Sequence, residues 1–154
     1  MDLPEPLRIE RTFSAPIDKV FQAWTDPEIL ASWWGPNGVT NPVCNIDVRP
    51  GGLIEIVMLA GDELGELKGQ RWPMTGEYVE ISEPTKLVYK SSAVINDVPI
   101  LDCLNTITFE QIGEQTKMTL EVKVTRATEA AKMPLMGMSQ GWSQSIDKLA
   151  KLFN

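Results

Sequence analysis

Thr116-Lys117-Met118-Thr119-Leu120-Glu121-Val122-Lys123-Val124-Thr125-Arg126 puts an apolar side chain at every second position. Successive side chains of a strand point to opposite faces, so this stretch predicts a strand with Met118, Leu120, Val122 and Val124 turned inward. The run before it, Asp102 to Glu110, alternates in the same way, and Gly113 marks a tight turn between the two. After Arg126 the period changes. Leu135, Met138, Trp142, Ile146, Leu149 and Phe153 trace the apolar stripe of a helix. Pro134 marks the start of that helix or a kink in it, and Gly137 and Gly141 loosen its first turns. An antiparallel strand pair followed by a long amphipathic helix predicts an α+β fold with the helix lying on the sheet.

The upstream chain extends this pattern. Leu7 to Phe13 alternates as a half-buried strand, and Pro16 suits the first turn of a helix whose face is Ile17, Val20, Phe21 and Trp24. Asp26-Pro27-Glu28 restarts a second short helix, with Asp26 as its cap, and Gly35-Pro36-Asn37-Gly38 stops it after Trp34. Val43 to Arg49 reads as a strand, Pro50-Gly51-Gly52 as a turn, and Leu53 to Ala60 as a second strand. Gly61 to Gly69 reads as a polar loop. Arg71 to Ile81 is a long strand in which Pro73 suggests an edge or a bulge. Glu83-Pro84-Thr85 turns the chain into a strand over Lys86 to Ser92. Ala93 to Leu101, carrying Asn96-Asp97 and Pro99, reads as a loop over a cavity mouth. Closely spaced strands of this kind favour an antiparallel meander, and one domain, 1–154, accounts for the whole chain.

Composition removes several function classes. The 21 acidic residues against 14 basic ones, net charge −7, oppose binding to nucleic acid or to an anionic membrane surface. No apolar run reaches the ~20 residues of a membrane span. No signal-peptide pattern precedes Leu7, so Cys44 and Cys103 are expected as free thiols in a reducing, cytoplasmic setting, although their pairing stays open. The sequence has no histidine, which removes the usual Ser-His and Cys-His nucleophile pairs and most zinc or copper sites. No phosphate-binding glycine motif occurs, and Asp62-Glu63-Leu64-Gly65-Glu66 lacks calcium-loop spacing. No cofactor or metal is expected. Acid–base work by a carboxylate is still open: Glu55 and Glu77 sit inside apolar strands, where each points either into the core or out to water.

Five tryptophans and seven methionines, spread over separate elements, are the positive hint. Such side chains make adaptable apolar walls, which with a few polar groups form small-molecule pockets. Each also serves as plain core, the ordinary role for Trp24 and Trp33. Asn105 sits in the apolar row Cys103, Ile107, Phe109 and needs a hydrogen-bond partner, in the protein or in a ligand.

Four pieces of sequence resemble one family. Ser14-Ala15-Pro16 with Val20-Phe21 and Trp24-Thr25-Asp26-Pro27, then Trp33-Trp34-Gly35-Pro36, then Arg49-Pro50-Gly51-Gly52, then Gly141-Trp142 with Leu149 are similar to the START-like (SRPBCC) superfamily. The branch resembled is the C-terminal domain of the activator of heat-shock protein 90 ATPase, over about Leu7 to Phe153. The resemblance implies a helix-grip fold: a curved antiparallel sheet of about seven strands around a long C-terminal helix, with two short helices after the first strand. It implies a cavity between sheet and helix, and no shared catalytic set.

The leading expectation is a binding protein for a small hydrophobic or aromatic ligand. Its walls would come from Trp34, from Ile56 and Met58, from Trp72, Met74 and Tyr78, from Ile107, and from Met138, Trp142 and Ile146 of the last helix. Tyr89 and Asn105 would orient the ligand by hydrogen bonds. A slip of one residue inverts every strand assignment, so parity decides that list. The alternatives are a cyclase- or hydrolase-type enzyme using a buried carboxylate such as Glu55 or Glu77, and a chaperone-associated interaction module with an exposed apolar patch. A homodimer through a sheet edge or the final helix is compatible with all three.

Overall fold

The computed structural model describes residues 3–153. Strand β1 (Leu7–Phe13) is followed by helices α1 (Ile17–Thr25) and α2 (Pro27–Trp33). Then come β2 (Val39–Ile46), β3 (Leu53–Ala60), β4 (Arg71–Ser82), β5 (Lys86–Ile95), β6 (Val98–Ile112) and β7 (Gln115–Ala127), and last the helix α3 (Lys132–Lys151). The sheet is antiparallel throughout, in the order β1-β7-β6-β5-β4-β3-β2. It is a meander except that β1 returns to pair with β7, Leu7 opposite Val122 and Phe13 opposite Thr116. The curled sheet grips the three helices on its concave face. Met118, Leu120, Val122 and Val124 are all buried there, as the alternation of β7 predicts.

The helical segment is built around proline. Asp26 caps α2 by accepting from the backbone N–H of Glu28 and of Ile29, with Pro27 at the first helical position. That arrangement leaves a debt in α1. The carbonyl of Ala23 would normally accept from residue 27, and a proline there has no N–H. The buried indole Nε1–H of Trp33 donates to Ala23 O instead, at 2.9 Å. Trp33 thus closes α1 and locks α2 against it, edge-on to Trp24 at 4.7 Å between centroids. Replacing Asp26 with Ala removes the acceptor for two backbone N–H groups; unfolding in urea is expected to show a loss of about 1 kcal/mol.

Gly35 ends the helical pair at φ +91°, and a Cβ there would lie 2.7 Å from Met58 Sδ and from Val39 Cγ2. The chain turns directly into β2, which starts at Val39 and stops at Ile46, earlier at both ends than the alternation from Val43 to Arg49 indicates. Asn41 and Pro42 form a bulge between Thr40 and Val43, so the edge strand keeps its proline out of the ladder. The Asn41 amide donates to Ala31 O and Trp34 O, both at 2.9 Å, fastening β2 to the end of α2.

Three other expectations change. Gly61 to Gly69 is not irregular: Asp62–Leu67 makes 3₁₀ turns broken at Gly65. Pro73 is not on a sheet edge, since β4 lies between β3 and β5. It sits where β4 pairs only with β3, just before the β5 register begins at Met74, so the lost donor breaks no second ladder. Ala93 to Leu101 is not a loop over a cavity mouth. The strands run on through it to a two-residue hairpin turn, in which Asn96 and Asp97 both have positive φ, 51° and 65°. That is a turn whose twist matches the flanking strands.

Helix α3 starts at Lys132, so Pro134 lies in its first turn, where a backbone N–H has no helical partner to lose. Its second half is tightly held: Ser145, Ile146 and Leu149 are buried, and Arg11 forms an ion pair with Asp147. Its first half is looser, with Leu135, Met138 and Trp142 half-buried and Met133 and Met136 exposed. No helix among the described residues is long and apolar enough to cross a membrane.

Candidate ligand site

Register answers the parity question. Ile56 pairs with Met74, Met58 with Trp72, Tyr78 with Tyr89, and Tyr89 with Asn105, so these residues share the concave face with Ile107. Glu55 and Glu77 therefore fall on the other face and are exposed, the Glu55 carboxylate accepting from the Asn45 amide at 3.3 Å. Among the described residues the buried polar side chains are Asn105, Thr116 and Ser145, with no carboxylate. The buried-acid enzyme loses its candidate groups.

The space between sheet and helices is nearly filled. A small, partly open apolar gap of only ≈ 10 Å³ is lined by Trp24, Leu30, Trp34, Ile54, Ile56, Met74, Tyr78, Leu87 and Tyr89. That is room for about one water. Of the expected wall, Trp34, Ile56, Met74, Tyr78 and Tyr89 meet here. Met58 and Trp72 lie further along the same rows, Ile107 and Ile146 are fully buried core, and Met138 and Trp142 sit at the loose end of α3. The cavity lies toward β3–β5 and the two short helices rather than under α3. Trp24, Leu30, Ile54 and Leu87 were not expected as lining. Ile54 and Leu87 share strand parity with Ile56 and Tyr89, which is signal enough; Trp24 and Leu30 needed the fold-back of α2 on α1.

Aromatic rings do the filling. Trp142 stacks on Trp24 at 6.2 Å and meets Trp34 edge-on at 5.3 Å; Tyr78 meets Tyr89 edge-on at 6.4 Å. Two lining side chains carry a buried polar atom with no partner among the described residues, Trp24 Nε1 and Tyr89 OH. Asn105 is different: its amide donates to Tyr89 O at 3.3 Å and Ser91 Oγ at 2.9 Å, so its amide nitrogen already serves the sheet. Burial pushes the Tyr89 phenol well above its usual range, with smaller contributions from Tyr78 and Cys103, and burial likewise raises Tyr78. Both phenols are neutral donors at any physiological pH. The two cysteines are free, and burial raises the Cys103 thiol to about 11. Among the described residues no cluster could hold a metal ion.

A second, open space of ≈ 380 Å³ lies outside this wall, between the first half of α3, the turn after α2 and the 3₁₀ segment. Its sides are Pro36, Asn37, Glu63, Leu64, Gly137, Gln140, Gly141 and Gln144. The Gln144 carbonyl oxygen accepts from Asn37 N at 2.9 Å, and Lys148 Nζ donates to Pro36 O at 3.3 Å.

A curled antiparallel sheet gripping a C-terminal helix, with two short helices after the first strand, defines a START-like helix-grip protein. Within that class the chain belongs to the activator of Hsp90 ATPase homolog 1-like family, whose sequence model matches residues 14–154. It is similar to a protein of solved structure from Chromobacterium violaceum, at 27% identity and TM-score 0.81, covering 98% of each chain. A protein from Nitrosomonas europaea is 26% identical, TM-score 0.77, over 96% of this chain and 92% of that one. The AHSA1 protein from Silicibacter pomeroyi is 25% identical, TM-score 0.76, over 96% of each. No curated protein matches the sequence.

Proposed function

We propose that this chain, acting as one binding domain in a cytoplasmic setting, holds a small hydrophobic or aromatic ligand between its sheet and helices. The observation that carries the reading is the pair of partnerless donors, Trp24 Nε1 and Tyr89 OH, in an otherwise apolar lining. Buried polar groups nearly always have a partner. A ligand oxygen that accepts from them would repay their desolvation, which favours a compact molecule with a carbonyl or ether group. Trp34, Ile56, Met74 and Tyr78 would supply its apolar contacts. The ligand must displace side chains, because the space at hand admits about one water.

Tyr89→Phe tests this with an unusual sign. Removing a hydroxyl that has no partner should raise the stability of the free protein by about 1 kcal/mol. The same change should weaken binding of carbonyl-bearing aromatic ligands, scored by native mass spectrometry and by the shift in melting temperature. A Tyr89→Phe protein that is less stable than wild type, yet binds as well, would sink the donor assignment.

A second reading, interaction with another protein in a chaperone setting, draws on the family's description and on Met133 and Met136, exposed by 75% and 74%. It gains if a broad panel of apolar ligands leaves the melting temperature unmoved while Met133 and Met136 become protected by an added chaperone.

A further inference from the structure

The open groove and the small apolar cavity touch the same two short segments. Pro36 lines the groove and Trp34, two residues before it, lines the cavity. Gly141 lines the groove, and its neighbour Trp142 packs on the cavity's Trp24 and Trp34. Pro36 and Gly141 face each other: a Cβ on Gly141 would lie 4.0 Å from Pro36 Cβ. Trp142 lines neither space itself; it packs behind the cavity's Trp24 and Trp34 and adjoins the groove's Gly141 in the chain. It is half-buried, whereas Trp24 and Trp34 are buried.

The two spaces differ in chemistry. The cavity lining is apolar apart from its donors. The groove presents the side chains of Asn37, Gln140 and Gln144 and the carboxylate of Glu63, which forms no ion pair among the described residues. Lys148 is half-buried and held on Pro36 O; burial lowers its proton affinity, and the nearby Glu63 carboxylate offsets part of that fall. The net charge of −7 adds to the negative field.

Building on the binding reading above, we propose that groove and cavity are two halves of one site separated by Trp142, and that its ligand is amphipathic. An apolar end displaces Trp142 and enters the cavity. A hydrogen-bond-donating head, an amine rather than a carboxylate, stays in the groove beside Glu63 and Gln140. An acceptor-only anion would meet the Glu63 carboxylate, whereas an ammonium finds in it a partner and in the amide oxygens acceptors.

Two measurements test this on the full chain. The first is stopped-flow binding of the uncharged fluorophore N-phenyl-1-naphthylamine to wild type, Trp142→Phe and Trp142→Ala, with melting curves to confirm folding. Trp142→Ala should raise the association rate at least tenfold, with Trp142→Phe between; unchanged rates in folded variants overturn the partition. The second compares 1-naphthylmethylamine with 1-naphthoate at pH 7 and low salt, where exposed charges are least screened. The amine should bind about tenfold tighter, and Glu63→Gln should remove most of that preference. Equal binding of the two overturns the head assignment while leaving the cavity reading intact. If the uncharged fluorophore binds neither wild type nor Trp142→Ala, the cavity reading itself fails and takes this one with it.

Discussion

Gly52→Ala should be strongly destabilising. A Cβ at Gly52 would lie 1.8 Å from the carbonyl oxygen of Asp47 and 3.0 Å from that of Arg49. Both neighbours are backbone, so no side-chain rotation relieves the overlap. The turn cannot simply swing away, because it is tied to the sheet. Gly52 N donates to Arg49 O at 2.8 Å, Tyr78 N donates to Gly52 O at 3.0 Å, and Gly51 N donates to Tyr78 O at 2.8 Å. Relief means breaking the β2–β3 turn away from β4, at a cost of ~3 kcal/mol or more. Gly137→Ala is the control. It lies inside α3, and nothing would approach its Cβ within 4 Å. Alanine there should stabilise by ~1 kcal/mol through helix propensity. Urea titrations of the two should move in opposite directions; a Gly52→Ala midpoint near wild type would show that the turn relaxes without cost.

Trp33→Ala is the second large effect, at ~3–5 kcal/mol for emptying a fully buried ring site. Its informative companion is Trp33→Phe. Phenylalanine keeps much of the contact with Trp24 and Trp34, whose centroids lie 4.7 and 6.0 Å away. It cannot donate to Ala23 O, and Pro27 leaves that carbonyl no helical partner. The loss in Trp33→Phe should therefore still reach ~1–3 kcal/mol. Trp24→Phe removes a partnerless indole N–H and should cost clearly less, although Trp24 is equally buried. Calorimetric melting of both variants separates the two cases. Equal losses would show that ring volume alone matters at position 33.

Periodicity made most of the fold legible. The rows Met118 to Val124 and Cys103 to Phe109 gave the concave face, and Asp26-Pro27 placed the break between the short helices where the cap geometry now shows it. Boundaries were lost where backbone conformation departs from what residue type suggests. Asn96-Asp97 has no glycine, so a turn with two positive φ values was not visible, and Pro99 argued further against a strand that in fact runs on. The walls of the site were partly legible, because strand parity alone brings Ile56, Met74, Tyr78 and Tyr89 together. Cavity size was not. It depends on how far four indoles and two phenols reach toward one another across elements, and Trp24 and Trp34, backed by Trp142, nearly fill the space. Asn105 was singled out as polar in an apolar row, but only the register shows its amide spent on Tyr89 and Ser91.

The pairing of β1 with β7 has a consequence for synthesis. About a hundred residues separate Phe13 from its partner Thr116, and a ribosome adding about 5–20 residues per second takes ~5–20 s to make them. During that interval Leu7 to Phe13 has no strand to join. The aromatic faces of the short helices wait too: Phe21 packs on Phe109, and Trp24 on Trp142. The sheet cannot close until Ala127 has been added, nor the grip until α3 follows. Closure of the sheet is therefore a late event, and any truncation before β7 strands the N-terminal third with its aromatic surface uncovered.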